Sequence, residues 1–216
     1  MRIDRWLVVL SAAFFAGAAS AQVVAGRQAD KLPSSSKEWT FFLGAYGYLG
    51  GGQSAYGSSA LSSDHKWLHL EARYNYENLR TASLWTGYNF TAGHDLLFQV
   101  TPMFGVVLGK TTGIAPGYEL SLTYKRLELY SEGEYVHNTK DKHDSFFYSW
   151  NELRYAPVNW LHFGLVDHGS KVQRTEFDGQ RGVSLGFGRQ KLDYTTYVFI
   201  TGSGGPSVVL ALSYTF

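Results

Sequence analysis

From Trp39 onward apolar and polar residues alternate at a period of two, and the alternation runs to the last residue. That period places alternate side chains on opposite faces of an extended strand. Residues 67–76 set Leu68, Leu70, Ala72, Tyr74 and Tyr76 against His69, Glu71, Arg73 and Asn75. Residues 81–90 set Ala82, Leu84, Tyr88 and Phe90 against Ser83, Gly87 and Asn89. Residues 117–124 set Tyr118, Leu120, Leu122 and Tyr124 against Glu119, Ser121 and Thr123. Further strands are predicted over 39–49, 96–108, 127–136, 145–155, 159–166, 182–188, 192–200 and 208–216. Glu128, Glu132 and Glu134 share one face of 127–136, while the pattern of 145–155 assigns no faces. In the last strand Val208, Leu210, Leu212, Tyr214 and Phe216 form an apolar face that something apolar must receive.

These are eleven strands, and a closed barrel built from one bacterial chain needs an even number. The stretch GGGQSAYGSSALSSD over 50–64 is long enough to hold a weak twelfth strand near 54–62. Twelve is therefore the expectation. Ten, with the first segment packed elsewhere, is the alternative. With twelve, one end of the barrel carries the short turns, near Ser63–His65, Thr91–Asp95, Lys125–Arg126, Ala156–Val158 and Arg189–Lys191. The other end carries the long connections His137–Asp144 and Asp167–Arg181. Short turns on the periplasmic side and long loops outside are the asymmetry of membrane barrels.

The first residues restrict the setting. MRIDR is positively charged, WLVVLSAAFFAGAA is apolar, and Ala19-Ser20-Ala21 is a small-residue cleavage site. Residues 1–21 thus read as a signal peptide for export by the Sec pathway. Residues 22–37 are polar and without pattern, a flexible periplasmic lead, which leaves 38–216 as one barrel domain. Removing Arg2, Arg5 and Asp4 from 19 basic and 18 acidic residues leaves 17 of each. A neutral chain has no electrostatic footprint for nucleic acid. Without cysteine there is no disulfide and no thiolate metal centre. Aromatic residues make up 16%, yet nothing after residue 21 approaches the ~20 apolar residues of a membrane helix. A secreted sandwich would turn Lys and Glu outward, whereas here the faces opposite the apolar ones hold Gly, Ser, Thr and carboxylates. The expected fold is all-β, a transmembrane antiparallel β-barrel.

The final strand, apolar in alternation and ending in phenylalanine, resembles that of bacterial outer-membrane β-barrel proteins, and Tyr214 and Phe216 fit the family's pattern. The resemblance implies a place in the cell outer membrane, surrounded by lipid and lipopolysaccharide. It also implies that the barrel assembly machinery reads the last strand, and that the protein is porin-like, a passive pore or small-solute transporter.

If the apolar faces meet lipid, the alternate faces line the lumen with His69, Glu71, Arg73, Glu119, Glu128, Glu132, Glu134, His162 and Asp193. Such an acidic lining favours cations. A second reading starts from His168-Gly169-Ser170 with Glu176. The His-x-Ser pair resembles the outer-membrane lipid A deacylases, and that resemblance implies a membrane-embedded lipid hydrolase. A third reading is a structural or adhesion barrel displaying the loops 137–144 and 167–181. No cofactor and no metal are expected. His65 and His69 stand roughly 13 Å apart on a strand, and His69 with Glu71 reads as a hydrogen bond in the lumen.

Overall fold

The computed structural model describes residues 39–173, 175–200 and 204–216; the signal peptide expected over 1–21 and the lead expected over 22–37 lie outside the described residues. The strands are β1 (Thr40–Gly50), β2 (Tyr56–His65), β3 (Leu68–Tyr74), β4 (Thr81–Tyr88), β5 (Phe90–Ala92), β6 (Leu96–Gly109) and β7 (Gly113–Tyr124). They continue as β8 (Leu127–Asn138), β9 (Phe146–Val158), β10 (Leu161–Val172), β11 (Asp178–Arg189), β12 (Leu192–Phe199) and β13 (Ser207–Thr215). All pair antiparallel, each with its sequence neighbour, and the ring closes between β1 and β13. β4 and β5 are one barrel strand. Thr81 faces Gly109 and Phe90 faces Val100 on β6, the same register on either side of a break at Asn89. The barrel therefore has twelve strands, and the Gly/Ser-rich segment is one of them, β2.

Closure is complete to the last residue. Phe42 pairs with Thr215; the Phe41 N–H donates to the Phe216 carbonyl at 2.8 Å, and the Phe216 N–H returns the bond to Phe41 at 2.9 Å. Both chain ends of the barrel thus lie at one rim, here called the near end. Its turns are tight. Lys66, Lys125 and Gln190 open two-residue turns with φ of 54°, 53° and 58°. That left-handed backbone matches the twist of the flanking strands.

The far end differs from expectation. β10 runs on to Val172 and β11 starts at Asp178, so most of the connection expected over Asp167–Arg181 is hairpin, with its turn at 173–177. The sequence signal misleads there because Asp167 and Arg181, polar and facing outward, end the apolar alternation of their strands without ending the pairing. The connection over 137–144 holds a single turn of 3₁₀ helix, Lys142–Asp144, begun by Asp141, whose side chain accepts from the His143 N–H.

The outer surface is apolar. Leu84 and Leu165, each 63% exposed, stand among Leu43, Leu61, Phe104, Val106, Leu153, Leu185 and Leu212, all pointing away from the lumen. At the near end Trp67 stacks on Tyr88 at 5.3 Å, Phe41 on Phe216 at 5.4 Å and Trp160 on Phe187 at 6.4 Å. Aromatic pairs of this kind form the girdle that membrane barrels place at the headgroup level. An apolar belt with an aromatic rim suits hydrocarbon, not water. Replacing Leu84→Arg should lower stability in lipid vesicles by about 2–4 kcal/mol, read by guanidinium titration of the refolded protein. An unchanged midpoint would contradict a lipid-facing position.

Candidate functional site in the barrel interior

The inner wall carries the chemistry. Period-two alternation with one face turned to lipid forces every second residue inward, and all nine residues expected at the lumen face it. His69, Glu71, Arg73, Glu119, Glu132, Glu134, His162 and Asp193 are buried, and the Glu128 side chain is 14% exposed. Asp64, Glu77, Glu152 and Arg154 join them, though the sequence pattern did not mark them. Asp64 stood in a segment read as a turn, Glu77 lies in the β3–β4 connection and folds inward, and the faces of 145–155 were ambiguous.

These groups form two clusters. In the first, Arg73 is the hub. It donates through one terminal nitrogen to Glu134 at 2.9 Å and through the other to Glu71 at 2.8 Å, and Glu77 lies 3.9 Å away. Its guanidinium is sandwiched between the Tyr76 ring at 4.2 Å and the Trp85 ring at 4.6 Å. Trp85 can lie flat against the wall because Gly105 is beneath it; a Cβ there would sit 2.5 Å from the indole. Ser83 and the Trp85 indole both donate to Glu77. Glu132 accepts from Tyr76 at 2.7 Å and Tyr130 at 2.8 Å. Next to this hub, His69 Nδ1 is 2.8 Å from Asp64.

The second cluster centres on Arg154, which pairs with Glu152 at 3.1 Å and lies 3.8 Å from Glu128. Glu152 also accepts from Ser184 at 2.8 Å and Tyr197 at 3.2 Å. His162 Nε2 contacts Asp193 at 2.9 Å across β11, over Gly186, where any Cβ would strike the imidazole. Among the described residues, nine inward carboxylates face two inward arginines. Burying ions is expensive unless they are paired and hydrogen-bonded; both hubs are ion-paired, while Arg73 Nε, Arg154 Nη1 and Glu77 Oε2 have no hydrogen-bond partner.

Apolar and aromatic side chains also face inward on the far half of the barrel, where Trp150 is in register with Glu132 and Tyr148 with Glu134. Trp150, Phe146, Phe199, Val107 and Val136 are at most 1% exposed. Tyr197 and Phe199 meet the Trp150 ring edge-on, at 5.1 and 5.7 Å. A cavity of about 10 Å³ beside Arg73, Glu132 and Glu134 has room for roughly one water.

The proposed hydrolytic set does not assemble. His168 is buried, stacked on Trp150 at 5.7 Å and edge-on to Phe199 at 4.7 Å. Neither of its ring nitrogens has a hydrogen-bond partner. Ser170 is on the same face of β10, and Glu176 is exposed in the 173–177 turn, with no bond joining the three. At the rim, Tyr214 and Phe216 point outward and stack on each other at 5.6 Å.

No family model matches the sequence, and no curated protein matches it either. Solved structures do match. The chain is similar to the KdgM porin at 12% identity and a TM-score of 0.56, covering 81% of this chain and 99% of that one. A second structure, the KdgM porin in complex with disordered oligogalacturonate, aligns at 11% identity with the same TM-score and coverage. Pseudomonas aeruginosa OccK5 (OpdH) aligns at 10% identity and a TM-score of 0.46, over 83% of this chain and 67% of that one. The likeness to KdgM is one of fold, an antiparallel barrel of nearly the same extent.

Removing the first hub should expose its electrostatic logic. Arg73→Met leaves Glu71 and Glu134 without their cation and should cost about 3–5 kcal/mol. Adding Glu134→Gln should recover part of that loss in a double-mutant cycle by denaturant unfolding. Strict additivity would mean the pair is not coupled.

Proposed function

We propose that the protein is an outer-membrane barrel that passes small solutes, with a preference for cations, through a narrow acidic lumen. The observation that carries the reading is the imbalance of the inner wall, nine carboxylates against two arginines among the described residues. Confined carboxylates hold a negative potential that low-dielectric walls strengthen, so cations enter more readily than anions. The fold shared with the KdgM porin supports a channel architecture. In this reading, the leader exports the chain, the near end faces the periplasm, and lipid with lipopolysaccharide surrounds the belt. The assembly machinery would take hold of β13 through Tyr214 and Phe216. The oligogalacturonate bound by KdgM is a polyanion, and an acidic lumen makes such a solute a poor substrate here.

Burial at the far end favours a second reading. With Trp150, Phe199 and Val136 almost fully enclosed, the same barrel would serve as a sealed structural or adhesive element. Single-channel recording in planar bilayers under a salt gradient separates the two. A conducting protein should give a cation-selective reversal potential that weakens as salt screens the carboxylates over ~10 Å at 0.1 M. Glu128→Gln with Glu132→Gln should reduce that selectivity, and Trp150→Ala should raise conductance by thinning the plug. Anion selectivity would refute the acidic-lumen reading. Silence in both the wild type and Trp150→Ala would establish the sealed barrel.

A further inference from the structure

The charge imbalance is not spread evenly. In the second cluster Arg154 stands beside Glu128 and Glu152, and His162 beside Asp193. The first cluster gathers Asp64, Glu71, Glu77, Glu119, Glu132 and Glu134, all buried, and Arg73 is the guanidinium that ion-pairs among them. Carboxylates gathered this closely in a buried site favour a cation among them.

One place in that cluster is built to hold it. His69 and Glu71 on β3 and Glu119 on β7 each offer one ligand atom, and the three atoms lie within 4.8 Å of one another. His69 Nε2 is 3.6 Å from Glu71 Oε2. That is long for a hydrogen bond and close to the ligand–ligand edge, about 3.4 Å, of a tetrahedron with bonds of ~2.0–2.1 Å. The other face of the imidazole is already oriented. A carboxylate can only accept, so the 2.8 Å contact makes Nδ1–H the donor to Asp64, and in the neutral imidazole the lone pair is then on Nε2. Asp64 is itself fixed by Asn89 at 2.9 Å, and Asn89 by Thr101 at 2.6 Å. A carboxylate behind a ligating histidine is the usual outer support of a metal site.

A second observation lies on the neighbouring strand. Ser62 is in register with Glu71, faces the same lumen and is 2% exposed, yet its hydroxyl has no hydrogen-bond partner. A water carried by a bound cation would meet it. One imidazole with two carboxylates suits a first-row divalent ion of the zinc type, whereas magnesium and calcium take oxygen ligands.

We propose that His69, Glu71 and Glu119 form a lumenal zinc-type cation site, oriented by Asp64. This departs from the sequence expectation of no metal, because residues two apart on one strand gain their third ligand from β7, far along the chain. A bound dication would lower the negative charge of the cluster and brace β3 against β7. Metal binding is read without any conduction, so it stands or falls separately from the channel reading.

The test uses the full barrel, refolded in detergent, stripped with chelator and titrated calorimetrically with zinc chloride and with magnesium chloride. One zinc per chain should bind, at least tenfold tighter than magnesium. His69→Gln and Glu119→Gln should each weaken zinc at least tenfold, and Asp64→Asn roughly 10–100-fold through the imidazole alone. Asp193→Asn, in the second cluster, should leave zinc affinity unchanged. Zinc-edge absorption of the wild type should give one imidazole and oxygen ligands near ~2.0 Å, which keeps the question decidable if a variant fails to fold. No saturable zinc binding, an equal loss in Asp193→Asn, or a zinc shell without imidazole would each overturn the site.

Discussion

The whole molecule depends on one constraint: a backbone that meets hydrocarbon must satisfy every N–H and C=O within itself. A sheet does so only by closing, and here closure is the pairing of β1 with β13, sealed by reciprocal bonds between Phe41 and Phe216. Once the ring is closed, alternation leaves no choice about side chains. One set faces out and must be apolar; the other faces the lumen. The acidic interior is therefore a consequence of closure acting on a sequence whose inward positions are Glu, Asp, His and Arg.

Twelve strands sit between barrels that side chains fill and barrels that hold a channel. This barrel shows both regimes along one axis. Toward the near end, small residues such as Ser62, Gly186 and Thr195 alternate with long charged ones around the Arg154 hub. Toward the far end, the Arg73 hub shares the interior with Trp150, Phe146 and Phe199, which are almost fully enclosed. The two hubs differ in charge even though both centre on an arginine. The Arg154 hub is satisfied by Ser184 and Tyr197 as well as by carboxylates. The Arg73 hub must serve several carboxylates with one guanidinium, and it leans on two aromatic faces to stay in place.

Much of this was legible in the sequence because lipid on one side makes alternation obligatory. Eleven of the strands, the near-end turns at Lys125–Arg126 and Arg189–Lys191 and the inward placement of Glu71, Glu119, Glu132 and Asp193 all follow from the period of two. The turns expected at Ser63–His65 and Ala156–Val158 fall inside β2 and β9. β2 was legible only through parity, since Gly57, Ser58 and Ser59 carry no apolar signal. The far-end hairpin at Asp167–Arg181 was misread as loop because strand pairing there outlasts the apolar belt. Glu152 and Arg154 were missed where aromatic residues occupy both faces, with Phe147 and Tyr155 outside and Tyr148 and Trp150 inside. Glu77 was missed because a connection that folds back into the lumen follows no period. His168 was found, but a local His-x-Ser spacing says nothing about the aromatic rings that enclose it.

What sequence reasoning could least supply is the convergence across the lumen. Glu71 and Glu134 are 63 positions apart, yet one guanidinium bridges them. Glu119 approaches His69 across the lumen from β7, with β4 and β6 between their strands. Each strand contributes one or two ionisable residues that would be unremarkable in water, and closure removes the water. The energetic character of the interior thus belongs to the ring and not to any strand. Neutralising Arg73, by mutation or by competition for its carboxylates, would be felt on β3 and β8 together. Screening at the rim would reach neither, because both partners lie well inside the wall.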